Sequence, residues 1–205
     1  MELQIMIEQI EQCQKCGLCL NQRPILETKK ECQVFWVGLS AKMIKSSDEI
    51  PLSPHTNTGM VIQKIEETLG AVSTYKTNLV KCVPLNEQHK LRYPNKKELD
   101  TCFFNLQKEI QELSPQIVFL LGEKVCSTVG KHFNIKFDKW DEYNYSYKQC
   151  DGIYYVPIHH PSYIYTYKRK TMEQYINSIG NIINFLLQEE MIAYKSSNEK
   201  SYVTI

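Results

Sequence analysis

The chain has 205 residues, of which 42% are hydrophobic and 23% are charged. These values suit one folded domain and exclude a disordered or collagen-like chain. The formal net charge of +1 gives no overall basic character, so binding to nucleic acid would need a local basic face. The first residues lack the pattern of a secretory signal, and no apolar run is long enough to span a bilayer. Eight cysteines without an export signal favour reduced thiols or metal ligation over disulfides, so we expect a cytoplasmic protein.

Apolar runs and helix-like patterns alternate along the chain. Continuous apolar runs predict four buried strands, at residues 33–37, 75–80, 117–121 and 153–158. Helical periodicity predicts four helices, at residues 59–69, 97–113, 123–132 and 172–190. Because strands and helices alternate, the expected fold class is α/β, with three αβα layers around a central, mostly parallel four-stranded sheet.

Two segments outside this alternation have their own predictions. Residues 138–151, rich in Tyr, Trp and Asn, are expected to form a hairpin that leads into the fourth strand. Residues 193–205 are polar and are expected to form a frayed tail behind a single domain of residues 1–192.

Three polar or small residues mark the ends of predicted strands. Gly38, Asn78 and His160 each lie at or just beyond the carboxyl end of one strand. Ligand sites of parallel sheets lie outside these ends. The sequence therefore predicts that these three residues share one site.

Several short motifs stand beside these positions. A C-x-x-C pair is a weak signal by itself, because zinc sites, redox sites and iron–sulfur clusters all use it. The motifs of this chain are C-x-x-C-x-L at residues 13–18 with Arg23, T-N-L-V-K-C-V-P at residues 77–84, then Arg92, Pro94, Glu98 and Cys102, the strand motif of residues 115–122, and His160-Pro161-Ser162. Together they resemble the iron–sulfur uracil-DNA glycosylases of family 4, and the resemblance extends over residues 13–185.

The resemblance implies a 4Fe–4S cluster held by the thiolates of Cys13, Cys16, Cys82 and Cys102. A structural zinc ion is the alternative, although zinc sites usually combine two closely spaced pairs. Cys19 forms a second C-x-x-C with Cys16 and competes as a ligand. The other three cysteines are expected to pack as small hydrophobic residues: Cys32, Cys126 and Cys150.

The resemblance also implies a pocket for a flipped base. Asn78 would read the edge of uracil with its amide, and His160 would donate to the anion that develops on the leaving base. An Asn after a strand is also a good turn former, and a His at a strand end is often structural. The position of the family's stacking aromatic is taken by Leu52 or, in another alignment, by His55.

The family's water-positioning acid is missing from this chain. Its G-E-x-P-G motif here reads G-L-S-A-K at residues 38–42, so Leu39 occupies the position of the acid and Lys42 that of the last glycine. Asp48 or Glu49 from the following loop are alternative acids, unless both are solvated. General-base assistance is typically worth about 10²- to 10⁴-fold in rate. Efficient uracil excision is therefore expected to be lost.

A DNA-binding surface is expected after the histidine motif. It comprises Ser162, Tyr163 and Tyr165 in a short loop, followed by Lys168 and Arg169 of a basic triplet. Tyrosines stack on bases, and cations pair with phosphates. The alternative is that the tyrosines pack under the last helix and that the triplet is a solvated helix start.

Three functions remain open at this point. The first is a pseudo-glycosylase that binds DNA, an altered base, or a protein that recognises uracil-DNA glycosylases. The second is an active glycosylase of shifted substrate range, since a sister group has G-L-A-P-A without an acid at this position. The third is an iron–sulfur regulatory or redox protein. Single-stranded or uracil-containing DNA is the expected partner, with no membrane association and a monomeric state.

Overall fold

A computed structural model describes residues 2–29, 31–44, 46 and 49–199. Its helices and strands follow one another as α1 (Glu2–Glu11), β1 (Val34–Ser40), α2 (Asn57–Glu66), β2 (Thr74–Val80), α3 (Lys96–Leu113), β3 (Ile117–Leu121), α4 (Glu123–Phe133), β4 (Lys148–Cys150), β5 (Ile153–Ile158), α5 (Pro161–Tyr167) and α6 (Met172–Glu199). Two short 3-10 helices, Gly17–Leu20 and Arg169–Thr171, lie in the connections. The predicted α/β alternation is confirmed.

The sheet has five strands in the order β2-β1-β3-β5-β4, not four. The four predicted strands are mutually parallel, and β4 pairs antiparallel with β5 at the edge. β4 was not predicted as a strand, because it has only three residues and lacks an apolar run. The hairpin expected over residues 138–151 is found only in its last part: residues 148–150 form β4, and a turn at Asp151 and Gly152, both with positive φ (50° and 80°), leads into β5.

Alternate residues of the strands pack against helices on the two faces of the sheet. Trp36 and Phe119 belong to the core under α2 and α6, whereas Phe35 and Val118 belong to the core under α3 and α4. All five of the residues Val34–Val37 and Ile117 are fully buried. Burial on both faces explains why these strands are continuous apolar runs rather than alternating ones.

Helix α3 begins at a capping residue. Asn95 caps α3 in a capping box, in which Asn95 Oδ1 accepts from the Glu98 N–H (2.9 Å) and Glu98 Oε2 accepts from the Asn95 N–H (2.8 Å). Arg92 donates to both carboxylate oxygens of Glu98, at 2.8 and 2.6 Å, and its hydrogen bonds hold the pKa of Glu98 below the usual range. Arg92 and Glu98 of the motif therefore tie the loop after β2 to α3.

Three helical segments differ from the sequence prediction. Helix α1 was not predicted, and residues 161–167, expected as a loop, form α5. A proline at the first helical position is pre-organised for a helix, and Pro161 occupies that position after the N-cap His160. Helix α6 continues to Glu199, so the backbone of the expected tail is helical from residue 193 to 199. Residues 200–205 of that tail lie outside the described part.

No helix in the described part of the chain is both long enough and apolar enough to cross a membrane. The parallel strands β1, β2, β3 and β5 direct their carboxyl ends toward one edge of the sheet. That edge carries the pocket described next.

Candidate functional site

A pocket of about 740 Å³ lies at the carboxyl ends of the parallel strands. Its wall combines the segment after β1, the loop before α2, the loop before α3, the start of α4 and helix α5. The residues that carry the argument below are Leu39, Lys42, Glu49, Leu52, Asn78, Tyr93, Glu123, Lys124, His160, Ser162, Tyr163 and Tyr167. Asn78 and His160 line the pocket, and Gly38 lies directly against Asn78. This agrees with the prediction that the three residues lie at one edge of the sheet.

Gly38 allows two side chains to approach the backbone of β1 closely. A Cβ atom at residue 38 would lie 2.5 Å from Asn78 Oδ1 and 2.7 Å from Leu52 Cδ2. Any larger residue would therefore displace the amide and the isobutyl group. Asn78 is only 3% exposed, and together with Leu52 it forms the floor of the pocket.

Leu52 and His55 were alternatives for the stacking position. Leu52 lines the pocket in a left-handed conformation with φ 53°, which is strained for this residue type and is typical of functional loops. His55 is exposed and does not line this pocket; its N–H donates to Ser53 Oγ at 3.4 Å. Of the two alternatives, Leu52 is therefore the one that the pocket contains.

His160 is held in one orientation by the start of α5. The Ser162 N–H donates to His160 Nδ1 at 3.3 Å, and Ser162 Oγ lies 2.8 Å from the same nitrogen. Since a backbone N–H can only donate, Nδ1 is the acceptor, and a neutral ring carries its proton on Nε2. Burial first, and the charge of Lys42 second, lower the pKa of His160 to about 4. At neutral pH the ring is an uncharged Nε2–H donor.

Leu39 lines the pocket and also packs against the core under α3 and α4. An aliphatic side chain cannot orient water or stabilise a cationic sugar. Asp48, one of the alternative acids, lies outside the described residues. Glu49 does line the pocket, as does Glu123 at the start of α4, which the sequence gave no reason to select.

The residues predicted to bind DNA separate into two groups. Ser162 and Tyr163 line the pocket, and the Tyr163 side chain is 42% exposed. Tyr165 is half-buried against the core, with the Arg169 guanidinium 5.2 Å from its ring centre. Lys168 and Arg169 are exposed beyond the end of α5 and do not line this pocket. An α-helix directs successive side chains to different faces, which separates Tyr163 from Tyr165.

Two further exposed tyrosines lie at the pocket and were missed in the sequence. Tyr167 is 72% exposed and its ring centre lies 5.5 Å from that of Tyr163. Tyr93 is 69% exposed, with Lys124 Nζ 4.4 Å from its ring centre. For Tyr93, the available signal was its position between Arg92 and Pro94. For Tyr167, it was the spacing of four residues from Tyr163, which places these two tyrosines on one helical face.

Five cysteines lie near one another just beyond the end of β2: Cys13, Cys16, Cys19, Cys82 and Cys102. Burial, and then the charges of Cys102, Cys16, Cys19 and Cys13, raise the pKa of the Cys82 thiol to about 12. The other four thiols therefore lie within electrostatic reach of Cys82. A bound cation reverses this preference, because a coordinating thiol is deprotonated by its metal.

The polar surroundings of these thiols suit thiolate ligands. Asn105 Nδ2 donates to Cys13 Sγ at 3.6 Å and to Cys102 Sγ at 3.7 Å, and the Lys81 N–H donates to Cys102 Sγ at 3.4 Å. Such donors tune cluster thiolates. Asn105 was missed in the sequence, although it follows Cys102 by three residues and so shares its helical face.

Cys19 behaves differently from its neighbours: its thiol donates to the Cys16 carbonyl at 3.2 Å. Within the part of the chain that is described, no three His, Cys, Asp or Glu side chains are arranged tightly enough to hold a single metal ion. Thiolates are soft ligands that suit iron–sulfur clusters and zinc alike, so the donor set fits either group.

A buried polar network supports the strand between the pocket and the cysteines. Lys81 Nζ donates to Glu109 and, at 2.5 Å, to Thr77 Oγ1, and both charged side chains are fully buried. Tyr75 donates to Glu109 at 3.1 Å, and burial followed by the charge of Glu109 raises the pKa of its hydroxyl. Thr77 and Lys81 of the T-N-L-V-K-C motif are thus structural, and they fix the strand that carries Asn78.

The comparisons with known proteins agree with this geometry. The family model described as the uracil DNA glycosylase superfamily matches residues 22–181. The type-4 uracil-DNA glycosylase of Saccharolobus solfataricus is 24% identical over 176 residues, covering 78% of this chain and 76% of that protein. The type-4 uracil-DNA glycosylase of Sulfurisphaera tokodaii is 26% identical over 164 residues, covering 76% of this chain and 72% of that protein.

A solved structure shares the fold. The crystal structure of wild-type SMUG2 from Pedobacter heparinus aligns with a TM-score of 0.51 over 77% of each chain, at 14% identity. The match of the family model spans most of the chain. The chain belongs to the uracil DNA glycosylase superfamily.

Proposed function

We propose that the protein is an iron–sulfur member of this superfamily that binds DNA at the pocket and has lost efficient uracil excision. The observation that carries the proposal is the segment after Gly38: Leu39 lines the pocket without a carboxylate, and the cationic Lys42 stands near His160. Loss of the base from a nucleotide develops positive charge on the sugar. A cation on this side of the pocket opposes that charge instead of stabilising it.

The leaving-group half of the site supports binding of a base. Asn78 offers a donor and an acceptor beside the apolar surface of Leu52, which suits the edge and face of a flipped pyrimidine. The Nε2–H of neutral His160 is suited to hold a carbonyl oxygen of the base. These residues orient a base, and none of them activates water.

The cluster proposal assigns Cys13, Cys16, Cys82 and Cys102 as the ligands of a 4Fe–4S group. When bound, the group supplies iron–thiolate bonds that cross-link the N-terminal segment to β2 and α3. The two N–H donors to the Cys102 sulfur support its assignment as a ligand, and the hydrogen bond from the Cys19 thiol supports leaving Cys19 out.

An active glycosylase of shifted substrate range is the second candidate. It is favoured by the retained Asn78 and His160 and by Glu49 and Glu123, two carboxylates that line the pocket. A reaction that relies mainly on stabilising the leaving base needs no acid at position 39.

We expect the unsubstituted protein to bind single- or double-stranded DNA that carries one uracil, and to release no uracil above the uncatalysed rate. Base release and binding would be measured on the same anaerobically purified sample. A type-4 uracil-DNA glycosylase serves as the positive control for the substrate. Uracil release at a rate near that of the control would contradict the proposed loss of excision and establish the second candidate.

Substitution of Tyr163 by Ala should weaken DNA binding by about 1–3 kcal/mol, because its exposed ring lies at the pocket where an unpaired base can stack. Tyr165→Ala is the matched control: it removes the same side chain two residues away, from a position against the core. We expect the control to lower the melting temperature and to leave the affinity for DNA nearly unchanged. Equal affinities for Tyr163→Ala and the unsubstituted protein would show that Tyr163 does not stack on a base in the complex.

A further inference from the structure

Lys42 is an exposed primary amine at the pocket, two residues beyond the end of β1. The other cations of the pocket wall have partners: Arg92 forms a bidentate pair with Glu98, and Lys124 lies over the Tyr93 ring. Among residues 2–29, 31–44, 46 and 49–199, no carboxylate forms an ion pair with Lys42. Its amine therefore remains available to a bound ligand.

The backbone around Lys42 is anchored at both sides. The Ala41 N–H donates to the Val80 carbonyl at 2.9 Å, which extends the pairing of β1 with β2. Gln22 then holds the next residues with its amide: Nε2 donates to the Lys42 carbonyl at 3.3 Å, and Oε1 accepts from the Ile44 N–H at 2.9 Å. The backbone of Lys42 is thus held in place at the pocket, although its side chain is exposed.

Lys42 and His160 both line the pocket, and the charge of Lys42 lowers the pKa of the imidazole. The two side chains therefore lie near each other. His160 and Asn78 occupy the part of the pocket suited to a base, so a nucleotide that binds there brings its C1′ carbon between the base pocket and the exterior. In a nucleotide that has lost its base, C1′ opens to an aldehyde. Lysine amines attack such carbonyl carbons to form imines.

We propose that Lys42 captures abasic sites in DNA by forming an imine between its Nζ atom and C1′ of the ring-opened deoxyribose. The neutral amine adds to the aldehyde carbon, and the resulting carbinolamine loses its hydroxyl oxygen as water, so that C1′ and Nζ share a double bond. No electrons are gained or lost, and no co-reactant is needed. The inference rests on the proposed binding of DNA at this pocket. Its substrate is the product of any reaction that hydrolyses a base from DNA.

The test uses the unsubstituted protein and a DNA strand with one abasic site, mixed with sodium cyanoborohydride. Hydride from this reagent reduces the imine to a stable secondary amine, which appears as a protein–DNA adduct on a denaturing gel. Binding is measured separately, on DNA carrying a tetrahydrofuran analogue that has no aldehyde. Peptide mapping of the adduct identifies the modified residue.

Lys42→Arg is the decisive variant, because it keeps the positive charge but loses the primary amine. We expect it to bind the analogue as the unsubstituted protein does and to form at least about tenfold less adduct. Lys124→Arg is the matched control at another lysine of the pocket wall, and it should form adduct at the unsubstituted level.

Three results would overturn the proposal. Analogue bound by the unsubstituted protein with no adduct would show that the amine does not react, while the binding function stands. An adduct undiminished in Lys42→Arg would assign the chemistry to a different amine. Failure of the unsubstituted protein to bind any of the DNA substrates would contradict the proposed function itself, together with this inference.

Discussion

A protein with Leu39→Glu and Lys42→Gly together is expected to release uracil from DNA about 10²- to 10⁴-fold faster than the unsubstituted protein, which is the usual contribution of a general base. Residue 39 lines the same pocket as Asn78 and His160, so a carboxylate there is expected to orient water toward the sugar of a bound nucleotide. Removing the Lys42 amine also removes the cation that opposes charge on the sugar. The measurement is uracil release from single-stranded DNA under single-turnover conditions.

Leu39→Gln with Lys42→Gly is the matched control for this gain. Glutamine has the size and hydrogen-bonding reach of glutamate but accepts no proton, so this variant should show only the gain that comes from removing the Lys42 cation and not the larger gain of a general base. Because Leu39 also packs against the core, the melting temperature of each variant must be recorded beside its rate. A folded Glu variant that binds DNA but stays inactive would show that another feature, such as Leu52 at the stacking position, blocks excision.

Substitution of Cys102 by Ser should remove the visible absorbance of the cluster and lower the free energy of unfolding by more than about 5 kcal/mol, the range reached when a metal is lost. Cys102 is buried on α3 and receives N–H groups from Lys81 and Asn105. Without a ligand at this position, the segment with Cys13 is no longer tied to α3. Iron, sulfide and zinc content, absorbance and urea unfolding would be measured under anaerobic conditions.

Cys150→Ser is the control, because Cys150 lies on the edge strand β4 and should affect neither absorbance nor stability. Cys19→Ser should likewise retain iron and sulfide. Zinc without sulfide in the unsubstituted protein would contradict the cluster. Loss of iron in Cys19→Ser, with retention in Cys16→Ser, would exchange these two residues in the ligand set.

The layers of the fold were predictable because buried parallel strands are apolar on both faces. The runs at 117–121 and 153–158 coincide with β3 and β5 for this reason. β4 lacks such a run and depends on pairing with β5. Helix α5 was missed because its tyrosines leave no clear division between an apolar and a polar face in the sequence. Its start is marked only by Pro161 after the N-cap His160.

The candidate site was predictable as a set of residue types, but only partly as a set of contacts. Asn78 and His160 could be assigned to one edge of the sheet because Asn78 lies near the carboxyl end of β2 and His160 just beyond that of β5. The choice between Leu52 and His55 could not be made, since it depends on a left-handed turn at Leu52 that the local sequence does not demand. Tyr93 and Lys124 were missed because one comes from the loop before α3 and the other from the start of α4, which are distant in sequence.

By itself, the sequence determined the alternation of strands and helices, the resemblance to one glycosylase family, the candidate cysteines and the absence of an acid at Leu39. These are properties of residue order, and each follows from local periodicity or from motif spacing. The tertiary structure decided which side chains face the pocket: Tyr163 and not Tyr165, Leu52 and not His55, and Lys42 beside His160. Side-chain direction depends on helix phase, on loop conformation and on packing between distant segments, and these arise only when the chain is folded.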